Sequence, residues 1–139
     1  MLGETNTQEE LLQAFHDDAK WWRFTIGLIE YEIQFIDRLL KANIFIENTP
    51  NLFERLQEFM HVIKTKTRET KNLKKELTEY EDRLRGILEC QDLSCHTYYL
   101  ENHKALKERF ELFYKDFNLY KIKVFNFTGS VLKKYRSDT

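Results

Sequence analysis

A single proline and four glycines in 139 residues leave few places where the chain can turn sharply. That excludes a loop-rich domain, or an all-β one built on many tight turns. No run of 18 apolar residues occurs, so no membrane-spanning helix is expected. Neither sign of charge dominates. Lys and Arg number 22 against 23 Asp and Glu, for a formal net charge of -1, and such a surface exerts no global pull on nucleic acid or acidic lipid. The opening residues, "MLGETNTQEELLQAF", lack the basic start and continuous apolar core of a secretory signal. A soluble, cytoplasmic protein is the expectation. Its two cysteines are then expected as thiols. They are not needed for stability, because a chain this long buries about two-thirds of the surface it exposes when unfolded.

Bulky apolar side chains are abundant. Aromatics make up 14% of the chain, and eleven of them are Phe, so this material must be buried or offered to a partner. It recurs in step. Phe15, Ala19, Trp22, Ile26, Ile29, Ile33, Ile36 and Leu40 follow a four-three spacing without a miss, the seam of a heptad repeat. A second seam runs Leu52, Leu56, Phe59, Ile63, Lys66, Thr70, Leu73, Leu77, Tyr80, Leu84, Ile87. A third runs Tyr99, His103, Leu106, Phe110, Phe113, Phe117, Tyr120, Val124, Phe127, Val131. The spacing predicts helices near 8–46, 50–89 and 97–136 within one domain, 1–139. Thr49 is the expected N-cap of the second helix, with Pro50 in its first turn. Thr97 is the expected cap of the third. Short links make neighbours antiparallel, so the expected fold is all-α: an elongated, coiled-coil-like three-helix bundle running up-down-up. A break of the second helix in its polar middle, "KTKTRETKN", would give a four-helix bundle instead, but no Gly or Pro is there to cause it.

A Trp near the start of the first seam, Glu32-Ile33, "LKKELTEYE", and the run His103, Leu106, Phe110, Phe113, Phe117, Phe125 resemble, over Trp21 to Leu132, an uncharacterised family of all-helical bacterial proteins. The resemblance implies a helical fold and carries no activity, cofactor or site residue.

Chemistry-bearing residues gather around "ECQDLSCHTYYLENH". Cys90, Cys95 and His96, with His103 and His16, could meet at one pole of the bundle. Their C-x4-C-H-x6-H order lacks the tight knuckle of a structural zinc site. A Cys90–Cys95 disulfide is geometrically allowed, but a cytoplasmic compartment argues against it. The favoured reading is a turn aided by Asp92 or Ser94, with His103 a core histidine whose ring nitrogens are hydrogen-bonded. Metal binding or regulation at this pole is the alternative function. Glu58-x-x-His61 has no second copy, as a di-iron bundle requires. Phosphate-binding and nucleophile-elbow motifs are missing. No catalytic residue, cofactor or metal ligand is therefore assigned, and a non-enzymatic protein is expected.

Two patterns remain. Lys66 and Thr70 interrupt the second seam, and counting from the links sets Lys66 level with Glu30 and Tyr120, a possible polar layer with Glu32. The competing reading has Lys66 extend its ammonium to water. Lys64, Arg68, Lys71 and Lys75 share a face, but no aromatic lies among them to stack bases, so neither nucleic acid nor membrane is an expected partner. The other pattern lies on the first helix. Phe24, Leu28, Tyr31 and Phe35 repeat at four-three-four on the side away from the seam, flanked by Trp21 and Leu39. A helix in a three-helix bundle needs one apolar face. The second predicts a partner: a homo-oligomer, most simply a dimer, or another helical protein, unless the chain itself covers the stripe.

Overall fold

The computed structural model describes residues 4–133, with side chains from residue 8 onward. Three long helices make up almost all of it: α1 Glu4–Lys41, α2 Leu52–Leu84 and α3 Leu93–Ser130. A 3-10 turn, Arg85–Glu89, follows α2. At 1.5 Å per residue the two 38-residue helices each span roughly 57 Å. α2 is continuous through its polar middle, so no fourth helix forms. Packing runs up-down-up. α1 and α3 are parallel, as shown by Trp22 against Phe110 and Phe35 against Phe125. α2 is antiparallel to both.

The seams become the core. All eight apolar residues of the first are buried, as are Phe59, Ile63, Leu73, Leu77, Tyr80, Leu84 and Ile87 of the second. On α3, Leu106, Phe110, Phe113, Phe117, Tyr120 and Val124 face inward. Thr128, rather than Phe127, is the buried position there. Thr25 is also buried, and its hydroxyl is the one buried side-chain polar atom without a partner among the described residues. Leaving a hydroxyl unpaired in the core costs about 1–3 kcal/mol. Thr25→Val is therefore expected to raise stability by about 1 kcal/mol, read as a higher midpoint in urea unfolding. A lower midpoint would mean that the hydroxyl is paired.

The links depart from expectation. α1 stops at Lys41, not near 46. Ile44–Ile46 runs extended against the chain after α3, with Ile46 N–H donating to Val131 O and Lys133 N–H to Ile44 O, both at 2.8 Å. The same pairing ends α3 at Ser130; residues 134–136, expected as helix, lie outside the described residues. Thr49 does not cap α2. Its hydroxyl donates to Ile46 O within the turn, and Asn51 precedes the helix in left-handed geometry at φ 59, which Asn tolerates better than most residues. Thr97 is not the cap of α3 either. Asp92 is: its carboxylate accepts from Cys95 N–H at 2.8 Å, so the helix begins four residues earlier than expected. Gly86 leaves room for the Tyr99 hydroxyl, which a Cβ there would meet.

Candidate functional site: an uncovered apolar stripe on the first helix

α1 is held by its seam against α2 and α3, and ion pairs mark its two flanks. Arg23–Glu81 and Lys74–Glu30 lie on the α2 side. Glu32–Lys121 and Asp18–His103 lie on the α3 side. The face between these flanks points away from the bundle, and it carries Phe24, Leu28, Tyr31 and Phe35. Nothing in the described chain covers them: exposure runs from 48% for Leu28 to 73% for Tyr31. Trp21, beside Phe24 at 6.1 Å between ring centroids, is equally open. Leu39 is half-buried. α3 extends the patch. Phe125, itself exposed, meets Phe35 edge-on at 6.4 Å. The stripe was legible as a second four-three-four pattern. The α3 contribution was not, because it depends on which way α3 is rotated against α1.

The cysteine pole is bonded differently from expectation. Cys90 and Cys95 form a disulfide with Cα atoms 5.4 Å apart. This corrects the expectation of two thiols. The turn is short enough to bring both sulfurs together, and Cys90 is buried against the start of α1, where Gln8 Nε2 donates to its carbonyl at 2.6 Å. Gln8 also contacts His96 Nε2 at 3.2 Å. With both sulfurs joined, the metal alternative loses its two thiolates. No group of three or more potential ligands stands together among the described residues. His16 lies elsewhere, in a shallow groove with Leu12, Glu81 and Arg85.

His103 is a core histidine, but it is not isolated. Its Nε2 lies 2.8 Å from the Asp18 carboxylate and its Nδ1 2.5 Å from the Tyr80 hydroxyl. An ionised carboxylate only accepts, so Nε2–H donates to Asp18, and Nδ1 accepts from Tyr80. Phe15 stacks on the ring at 3.8 Å and Trp22 at 5.1 Å. Burial lowers the imidazole's affinity for a proton, and Asp18 offsets this in part. Burial also pushes the Tyr80 hydroxyl upward, with the Asp18 charge adding to it, so Tyr80 stays a donor. One residue from each helix thus joins a single polar pin. Tyr80 is itself buried, so the chain of hydrogen bonds ends inside the packing.

The polar layer does not assemble. Lys74, not Lys66, meets Glu30, because the extended Ile44–Ile46 segment advances more per residue than a helix would and shifts α2 along α1. Glu32 pairs with Lys121, the Thr70 hydroxyl donates to Lys66 O, and the Tyr120 hydroxyl donates to Phe59 O at 2.7 Å. The Lys66 side chain is largely buried, and its ammonium lies 3.8 Å from the more exposed Glu69. Lys64, Arg68, Lys71 and Lys75 form an exposed face.

No known family model, curated protein or solved structure matches the chain. The functional reading therefore rests on the geometry of the chain itself. No described helix is long and apolar enough to cross a membrane. The most unusual chemical feature of the molecule is its uncovered aromatic stripe.

Proposed function

We propose that the protein is a non-enzymatic helical-bundle interaction or scaffold module that self-associates, most simply as a dimer, through Phe24, Leu28, Tyr31 and Phe35. The exposure of these four side chains in one row carries the proposal. Five large side chains including Trp21, each about 150–250 Å² and more than half exposed on average, leave roughly 600 Å² of apolar surface on one helix. Phe125, packed against Phe35, adds to it, towards the ~800 Å² that each partner gives to a standard interface. A face of this size is usually a binding site, because left bare it would be adhesive.

Light scattering on the purified chain is the test. Wild type is expected as a dimer, and Leu28→Lys as a monomer with unchanged helical circular dichroism, since Leu28 lies outside the core. A wild-type monomer at high concentration would sink self-association and leave the stripe to a different helical protein. A dimer that survives Leu28→Lys would move the contact to another face.

A cytoplasmic location is part of this reading, and the Cys90–Cys95 bond puts it at risk, because cytosolic thiols are normally kept reduced. Alkylation of acid-quenched cells decides the point. Two reactive thiols keep the chain in the cytoplasm. None places it in an oxidising compartment.

A further inference from the structure

The self-association proposed above leaves the direction of the two copies open, and three features of α1 bear on it. The stripe is symmetric under reversal: Phe24, Leu28, Tyr31 and Phe35 follow spacings of four, three and four. Its centre falls between Ile29 and Glu30. The exposed charges on either side of the stripe differ in balance. Glu9, Glu10 and Asp17 precede it, with Lys20, whereas Arg38 follows it, and beyond it Lys41 is paired with Asp37. Arg38 has no ion-pair partner among the described residues. Gly27 is the third feature. It sits one turn before Tyr31 on the same edge of the stripe, and a Cβ added there would meet nothing within 4 Å. No contact within the chain requires a glycine, although one in mid-helix weakens the helix relative to alanine.

We infer that two copies pair α1 against α1 head to tail, about a two-fold axis passing between Ile29 and Glu30. The inference rests on the self-association reading. An isologous contact of this kind repeats each pairing twice. Phe24 lies opposite the second copy's Phe35, and Leu28 opposite its Tyr31. The Tyr31 ring, the most exposed of the four, occupies the room over the second copy's Gly27. Asp17 comes level with Ala42 of the other copy, within a turn of its Arg38 and Lys41. Asp17 then meets the neighbourhood of the unpaired Arg38, which favours this orientation over its reverse. A parallel pair would set Asp17 against Asp17 at one end of the interface and Arg38 against Arg38 at the other.

Cysteine cross-linking reads the orientation, with the wild-type chain, which carries only Cys90 and Cys95, as the control that must stay unlinked. Asp17→Cys and Ala42→Cys are made singly and are also co-expressed. In the head-to-tail dimer each introduced cysteine is roughly 37 Å from its own copy along the helix axis. A short bis-maleimide should therefore link the co-expressed pair and neither variant alone. Self-linking of both single variants would overturn the orientation while keeping the dimer. Light scattering on the same samples separates the two failures: a monomer throughout removes the self-association reading itself. A dimer that links in none of the three samples places the contact off this face and overturns both. Gly27→Leu adds an independent check. It is expected to weaken the dimer at least tenfold while helicity and monomer unfolding are kept. Unchanged dimer affinity would remove Tyr31 from the Gly27 space.

Discussion

Phe117→Ala is expected to cost about 3–5 kcal/mol of folding stability, and Phe35→Ala almost none. The two residues have the same side chain and both sit in mid-helix, so helix propensity changes in the same direction in each. Burial separates them. Phe117 is fully buried, stacked parallel to Phe113 at 6.3 Å and packed beside Tyr120. Removing its ring opens a cavity lined by rigid aromatics that collapse poorly, and this sets the cost at the upper end of large-to-small changes. Phe35 has more than half of its surface in solvent and one ring neighbour, Phe125. Its truncation leaves no cavity. Urea unfolding at a concentration where the chain is monomeric reads both values, because any dimer would add the lost interface to the apparent stability of wild type. Equal losses for the two variants would mean that α1 is rotated and that its stripe belongs to the core.

The rotation of α1 was legible in the sequence because two independent periodic patterns share the helix. The seam with Trp22, Ile26 and Ile29 is the longer and is buried, whereas the Phe24 pattern is the shorter and is exposed. The number of helices was legible for the same reason, since a heptad phase is a local property that survives in any context, and their direction was legible from the short links. What could not be read depends on contacts between segments far apart in sequence. The first helix was expected to run on into "ANIFIEN", although the next seam position there is Asn43, and Ile44, Phe45 and Ile46 also suit an extended chain. The Ile44–Ile46 bonds to Val131 and Lys133, across more than eighty residues, decide for extended chain. That choice then moves α2 along α1 and gives Glu30 to Lys74. His103 was legible as a buried histidine from its place on a seam. Asp18 was not, because its meeting with His103 is set by the offset between α1 and α3. The disulfide was misjudged for a different reason: a prior about compartment was set against a loop geometry that permitted the bond.

Loss of the Asp18–His103–Tyr80 pin gives the second large effect, and this one depends on pH. In the folded chain burial holds His103 below the usual 6.5 of an imidazole. In the unfolded chain it titrates near that value. As pH falls through about 6.5, the unfolded state therefore binds a proton that the folded state resists, and the unfolded state is favoured. Stability from His103 is complete above that pH and is lost as pH falls towards the lower folded value. The slope can reach about 1.4 kcal/mol per pH unit for one proton. His103→Gln isolates the effect. The amide N–H can donate to Asp18 and the amide oxygen can accept from Tyr80, so the pin keeps its hydrogen bonds without a titrating group. Thermal unfolding between pH 7.5 and 5 is expected to show a flatter profile for the variant than for wild type, the other three histidines being present in both. His103→Leu removes the bonds instead. It strands the Tyr80 hydroxyl in the core and should cost about 1–3 kcal/mol even at pH 7.5. If His103→Gln kept the full acid sensitivity of wild type, the proton would be taken up elsewhere. The pin would then be a neutral packing device joining the three helices, with no part in their response to acid.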